Sequence, residues 1–578
     1  MIFSSLISYY DRLRKSGHLP PLGFSVEDIG FLIMINKTGE LVGEPIDLRT
    51  KISANTYEFK PSIVPYSNAV NVRSSSAAEV ANFMTDKADY VFGMSGKTPK
   101  VVHHESFKAL IENVCPASDD VGILAVKAFL KKWQPEDSLD LPLWNEISGM
   151  HGKWIAFQLE GEKGFIHERE AVKKCWEAYI AKEEYDSGIC FIDGKTHPIQ
   201  PQYSQFKFGS GASLVSFNKN AYESYGKKRG ANAPISVEAE FKSSTALKHL
   251  FRNRAQRIKI GDATTVFWTE RASPVESFMG VILNPQDDGT DNIPLRKFLE
   301  AAGKGAKPEV PDYDGDVKTY ILGISLNKAR LAVRFWHICS VDQLKDRIGH
   351  HFNDLQIERY SEKDIPFPGV WHLLKETARE TKDISPVLGG ALMRSILEGA
   401  DYPLNLYNGV LNRIRADQAK KNPQTGKQIP NVNYLRASIL KAVLKRNYKM
   451  EVPMSLDTEK KDIAYLLGRL FAVLEKAQQD AIPGANATIK DRFYGAASAT
   501  PASVFPRLLR LAQHHIEKTK SEYGHVSDRR IAEIVEDIKE FPAHLNVKQQ
   551  GLFAIAYYQQ RNEFYKKKTD QKEETINE

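Results

Sequence analysis

The chain is poor in cysteine. Cys115, Cys175, Cys190 and Cys339 are the four in 578 residues, and no two are spaced as a CxxC pair. That excludes a disulfide scaffold and a four-cysteine zinc site. Long apolar runs are missing as well, so no membrane span is expected. The first 15 residues lack the order of an export signal, because Arg12, Arg14 and Lys15 follow the apolar positions instead of preceding them. A reducing cytoplasm is the expected compartment. Glycine and proline, at 37 and 28 residues, are average in number, which rules out collagen-like and low-complexity chains. With 42% hydrophobic and 26% charged residues the chain can bury several cores. Its length predicts about three to four domains.

Catalytic signatures are absent too. There is no HExxH or HxH metal pattern, no GxSxG, no Cys/His signature, and no acidic cluster spaced for two-metal chemistry. Gly93-Met94-Ser95-Gly96-Lys97-Thr98 imitates a phosphate loop, but two residues separate its glycines where the Walker pattern needs four. Asp312, Asp314, Gly315 and Asp316 imitate a calcium loop, yet the closing position holds Gly323 rather than glutamate. The pairs His103-His104, His350-His351 and His514-His515 are adjacent. Neighbours on a helix point about 100° apart and rarely share a metal, so phosphate contact or partial burial is expected of them. The chain is therefore expected to be non-catalytic and to hold no metal or cofactor. The competing reading is a standalone metal-dependent nuclease with scattered acidic residues. A scaffold without DNA contact is a third.

What the chain does have is a local excess of positive charge. The whole carries a net +7, and so does the stretch from Lys227 to Lys259 alone. Its nine cations are opposed only by Glu238 and Glu240. Such concentration points to an anionic polymer, and Tyr222, Tyr225 and Phe241 stand nearby as stacking faces. Lys227, Lys228, Arg229, Lys242, Arg252, Arg254, Arg257 and Lys259 are the candidate contacts to a nucleic-acid backbone. A second candidate is the loop 68–76. Asn68, Asn71 and Arg73 are residue types that pair with base edges, and its serines can reach phosphates. Lys97 and Lys100, beside the glycine loop, join it as candidate DNA contacts.

Periodicity predicts an α+β protein with antiparallel sheet over 1–365, a helical connection over 366–450, and a helical bundle over 451–578. A first helix is expected over 2–14. Strands are expected at 29–35 and 40–47 around Lys37-Thr38-Gly39, then at 154–159, 189–192, 213–217 and 264–268. The clearest hairpin is 319–326 with 330–336. Helices are expected at 385–399, 403–421, 431–448 and from about 455, where Ser455 or Asp457 can cap. Others follow at 502–520, 527–540 (capped by Ser527) and 546–568. The stripes of the last helices can face one another, so 451–578 is expected to complete its own core.

Several ordered blocks carry a resemblance. They include Asn82-Phe83-Met84-Thr85-Asp86-Lys87-Ala88-Asp89-Tyr90-Val91-Phe92-Gly93, Ser216-Phe217-Asn218 with Ser224-Tyr225-Gly226, and Asn232-Ala233-Pro234. Gly261-Asp262-Ala263-Thr264-Thr265-Val266-Phe267-Trp268, Ile321-Leu322-Gly323-Ile324-Ser325 and Val333-Arg334-Phe335-Trp336 follow. Leu467-Gly468-Arg469-Leu470-Phe471, Thr488-Ile489-Lys490-Asp491-Arg492-Phe493-Tyr494 and Phe505-Pro506-Arg507 close the set. Together they resemble the large subunit of the type I-C (Dvulg subtype) CRISPR Cascade complex over nearly the full length. The resemblance implies a non-catalytic member of an RNA-guided antiviral ribonucleoprotein. In such complexes guide RNA (crRNA) reads sequence by pairing, and protein reads a short protospacer-adjacent motif (PAM) in double-stranded DNA. It further implies aid in duplex opening, stabilisation of the R-loop, and recruitment of a nuclease-helicase. Backbone subunits, a crRNA-processing subunit and a small subunit made from the C-terminal region are the implied protein partners. It supplies no PAM-reading residue; Asn68, Asn71, Arg73, Lys97 and Lys100 remain the candidates drawn from residue type. Lys490, Arg492, Arg507 and Arg510 are the surplus cations of the bundle, aimed at the displaced strand. Met450 and Met454 are the candidate internal starts for the small subunit.

Overall fold

The computed structural model describes the chain except residues 54–55, 68–79, 150–152, 207–210, 218, 278, 284, 286–296, 299, 303–305, 307–312, 328–329, 422–423, 425, 427–428, 520–521 and 566–578. It divides into two compact units. One holds Met1–Arg252 with Leu326–Ala332, and the other Asn253–Ser325 with Val333–Glu578. The α+β expectation holds, with the sheets in the first two-thirds and, among the described residues, helices as the named elements beyond.

In the first unit, helix α1 (Ile2–Lys15) is followed by strand β1 (Phe24–Ile35). Phe31, Ile33 and Ile35 are wholly buried in one cluster, and Ile29 and Leu32 are buried in another, the register shifting between Ile29 and Phe31. A strand covered on both faces reads as a continuous apolar run, as 29–35 does. The chain then turns at Gly39, whose φ of +79° suits glycine. It returns through an Ile35–Leu41 bridge to β2 (Ile46–Asp47), antiparallel to β1. Strand β3 (Lys60–Pro65) also pairs antiparallel with β1. Helices α2 (Val101–Val114) and α3 (Val121–Lys132) come before β4 (Trp154–Leu159). Here the antiparallel expectation needs correction, because β4 runs parallel to β1. The long helical crossover between them permits what a tight turn would not. Helix α4 (Glu170–Ile180) and helix α5 (Val237–Arg252) complete the unit, α5 packing on α1. The strand expected at 213–217 reduces to one bridge from Ser213 to Arg330.

The second unit begins with an antiparallel sheet in the order β5 (Arg257–Ile260), β6 (Ala263–Thr269), β7 (Lys318–Asn327), β8 (Arg330–Ser340). Trp268 lies against Tyr320 and Trp336, with centroids 5.4 and 5.6 Å away. Behind the sheet stand α6 (Val341–Leu355), α7 (Val370–Lys375), α8 (Leu388–Glu398), α9 (Leu404–Ala416) and α10 (Tyr434–Tyr448). The last helices are α11 (Ile463–Ala481), α12 (Ile489–Ala499), α13 (Pro501–Lys518), α14 (Glu522–Glu536) and α15 (Val547–Glu563). Two expected caps move. Asp462 caps α11, and Ser527 lies buried inside α14, which starts five residues earlier.

The C-terminal helices pack on one another and also on helices before residue 450. One apolar cluster runs from Ile260 to Tyr558. Helix α15 is buried all round, from Gly551 to Gln560, and packs on both α11 and α10. Tyr407 of α9 sits over Gly551 and donates to the Val547 carbonyl at 3.0 Å. Tyr558 donates to the Glu358 carbonyl at 3.0 Å. The helices after 450 therefore share their packing with 358–448.

Candidate nucleic-acid interface

The cations of the 227–259 stretch fall into three settings. The first is a surface turn. Lys227 N–H donates to the Ser224 carbonyl at 2.9 Å, closing a two-residue turn. Its central residues, Tyr225 and Gly226, have φ of +53° and +70°. Asn232 holds the turn from below. Its Oδ1 accepts from Ser224 N–H at 3.2 Å, and its Nδ2 donates to the carbonyls of Lys227 and Arg229 at 2.9 and 3.1 Å. Lys227, Lys228 and Arg229 are all exposed.

The second setting is α5. Its apolar positions Ala246, Leu247 and Leu250 face inward. Glu240 is buried too and accepts from Ser204 N–H at 2.8 Å, while burial raises its carboxyl above the usual range. The cations here are already engaged. Lys242 meets Asp11 at 3.0 Å and Glu238 at 2.8 Å, and Arg252 stands 3.6 Å from Asp28. Lys248, the basic residue left out of the candidate set, lies over the Tyr66 ring at 5.7 Å.

The third setting is in the second unit. Asn253 caps a short turn carrying Arg254, and β5 follows at the edge of its sheet. Arg257 and Lys259 point to solvent, and Ile260 to the core. Arg254 and Lys259 line a groove of about 700 Å³ whose other walls include Ile258, Trp371, Ile384 and Pro386.

Of the three aromatic candidates, Tyr225 alone is open. The Arg330 guanidinium covers Tyr222 at 4.5 Å, and Phe241 packs edge-on to Tyr10 at 5.9 Å.

Asn68, Asn71 and Arg73 lie outside the described residues. Lys97 is exposed at the tip of a small hairpin, Met94–Ser95 with Thr98–Pro99. Gly96 at φ +58° makes the bend, and Trp144 Nε1 holds its carbonyl at 2.9 Å. Lys100 is half-buried, and its N–H closes back on the Gly93 carbonyl at 2.7 Å. That amide is spent within the hairpin and cannot serve a phosphate. The histidine pairs are split by burial. His104 Nδ1 donates to the Tyr90 carbonyl (2.9 Å), and His351 Nδ1 shares a hydrogen bond with the Tyr402 hydroxyl (2.8 Å).

The four bundle cations part company. Arg492, Arg507 and Arg510 are exposed, and Arg507 stands over the Phe493 ring at 5.4 Å. Arg507 and Arg510 are three apart on α13 and share a face. Lys490 corrects the expectation: its side chain is 2% exposed. Its Nζ donates to the Ile429 carbonyl at 3.1 Å and faces Asp491 at 3.5 Å. It cannot touch a strand on the surface.

The sequence profile of the CRISPR-associated protein (Cas_Csd1) family matches residues 6–565. The chain belongs to that family. A search of curated proteins returned no match. Two features of this Cas_Csd1 chain depend on partners that local sequence pattern does not mark. Asn232 is the brace of the 224–227 turn, and Arg330 arrives from about 100 residues away to occupy Tyr222. Among the described residues, no group of three His, Cys, Asp or Glu side chains could hold a metal ion. No described helix is long and apolar enough to cross a membrane.

Proposed function

We propose that this Cas_Csd1 chain is the non-catalytic large subunit of a type I-C RNA-guided surveillance complex in the cytoplasm. Guide RNA reads the target by pairing, and this subunit engages the PAM-bearing duplex, aids its opening and holds the displaced strand. It also offers the docking platform for a nuclease-helicase, beside the backbone, crRNA-processing and small subunits. The observation that carries the reading is the family match over residues 6–565. The open cations Lys227, Lys228, Arg229 and Lys97 in the first unit, and Arg492, Arg507 and Arg510 in the second, support it.

The test is an alanine scan of Asn68, Asn71, Arg73, Lys97 and Lys100 in the assembled complex, read against duplexes with a randomised PAM. Removing one good base contact lowers affinity by about 1–3 kcal/mol and relaxes preference at one base pair only. At least one variant is expected to behave so. If all five keep the parental preference, the PAM is read elsewhere. Incubating the purified chain with DNA and Mg²⁺ or Mn²⁺ completes the test: no cleavage is expected, and cleavage would return the nuclease reading.

A further inference from the structure

We infer that Tyr225 is a stacking residue for unpaired bases, held between flanking phosphate contacts at Lys227, Lys228 and Arg229. The inference rests on the nucleic-acid reading above and names the side chain that meets the bases.

Tyr225 is the most exposed large apolar side chain among the described residues, at 98%. A ring left so bare forgoes burial worth more than most surface contacts, yet nothing in the fold covers it. Its backbone makes the placement more telling. Both central residues of this turn have positive φ, a geometry that favours Asn-Gly or Gly-Gly. A tyrosine there is held against its own preference. The surroundings hold it: Asn232 grips three backbone groups of the turn. The root is fixed as well. Gly230 N–H donates to the Pro201 carbonyl at 3.0 Å, and a Cβ on Gly230 would fall 2.0 Å from the Gln200 carbonyl oxygen. The ring is thus presented on a braced, pre-organised support.

Chemistry identifies the occupant. Both ring faces are open, so the ring can slide between two bases or cap one. Three exposed cations follow within four residues, with no ion-pair partner among the described residues. An aromatic platform beside a cationic track is the pattern that binds single-stranded nucleic acid, where stacking is tolerant of sequence. A paired duplex hides its base faces, so the partner is a strand that has already opened.

The experiment uses the purified full-length chain, a forked DNA with 2-aminopurine in the unpaired arm, and a fully paired duplex of the same length. Tyr225→Gly removes the ring and relaxes the turn, so its melting temperature should equal or exceed the parental value. Its affinity for the fork should fall about 5- to 150-fold with an unchanged salt slope, while the duplex is bound as before. Quenching of 2-aminopurine should vanish with it. Tyr225→Phe should restore both. Equal binding of the fork by Tyr225→Gly, or equal loss on fork and duplex, overturns the inference. Replacing Lys227, Lys228 and Arg229 together by Ala separates the two readings. If that variant flattens the salt slope while Tyr225→Gly changes nothing, the nucleic-acid reading stands and the stacking role falls. If the parental chain binds neither DNA, both fall.

Discussion

Lys490 offers the sharpest contrast between a charge seen in sequence and a charge placed in a fold. As a surface cation it would add one phosphate contact, and its removal would lower the slope of log affinity against log salt by about 0.9. As a core cation it would leave that slope alone and damage the fold. The structure puts it in the core. Its ammonium satisfies the Ile429 carbonyl and stands beside Asp491, itself only 6% exposed. Glu475 is in the same electrostatic neighbourhood, buried and hydrogen-bonded to the Tyr557 hydroxyl at 2.6 Å. Burial lowers the Lys490 pKa, and the two carboxylates pull it back up.

Lys490→Met keeps the length of the side chain and removes the charge. It leaves the half-buried Ile429 carbonyl without this donor and Asp491 without its cation. Breaking a buried pair from one side costs about 3–5 kcal/mol. For a unit of this size, taking the low end of about 2 °C per kcal/mol, the second unit should melt roughly 6–10 °C lower. The assay pairs a thermal melt with a salt titration of DNA binding. A companion variant, Arg492, Arg507 and Arg510 all to Ala, should do the reverse: little change in melting, and a slope shallower by up to about 2.7 if all three touch phosphates. The reasoning is refuted if Lys490→Met melts within about 1 °C of the parent and flattens the slope by about one unit.

Two further outcomes follow from burial. His167 and His351 are buried, which pushes each imidazole down to about 3. Because an unfolded imidazole titrates near 6.5, the stability these rings permit is full above that pH and falls as pH drops toward 3, by up to about 1.4 kcal/mol per pH unit for each ring. Melts of the parent and His351→Gln between pH 7 and 5 should diverge in slope, the variant being flatter in the second unit; parallel curves would mean His351 is solvated. In α11, a Cβ on Gly468 would lie 2.3 Å from the Phe553 carbonyl oxygen of α15. Gly468→Ala gains about 1 kcal/mol of helix propensity but forces two helices apart at about 1–3 kcal/mol, so a lower melting temperature is expected and a raised one contradicts the close packing.

The elements with a strong period were legible. Residues 154–159 and 319–326 stand out as short apolar runs of strand length, and 463–481 carries a helical stripe, so local pattern sufficed. What escaped depends on distant partners. The parallel pairing of Ile29–Ile35 with Trp154–Leu159 joins segments over 100 residues apart, and neither strand announces its direction. Ser527 looks like a cap because serine before an apolar run usually is one, yet the helix had already begun at Glu522. The bundle stripes did not reveal that α15 is buried on every face over 551–560, which is what ties it to α9 and α10 as well as α11. In the candidate site the charge run was plain, but not its neutralisation. Asp11 and Asp28, more than 200 residues upstream, reach Lys242 and Arg252.

That division decides which cations of the run carry functional weight. Lys242 and Arg252 help attach α5 to the rest of the first unit, so their charge has a structural account. Arg257 and Lys259 lie on an edge strand, and charged side chains on an exposed edge already deter strand-to-strand association. They need no ligand to explain them. Lys227, Lys228 and Arg229 have neither account. The turn that bears them is closed by backbone bonds and by Asn232, none of which uses their side chains. Three like charges in succession repel one another at low salt and add nothing to that bracing. A fold gains nothing by concentrating them beside a bare tyrosine, whereas an anionic strand would gain contacts from all four residues at once.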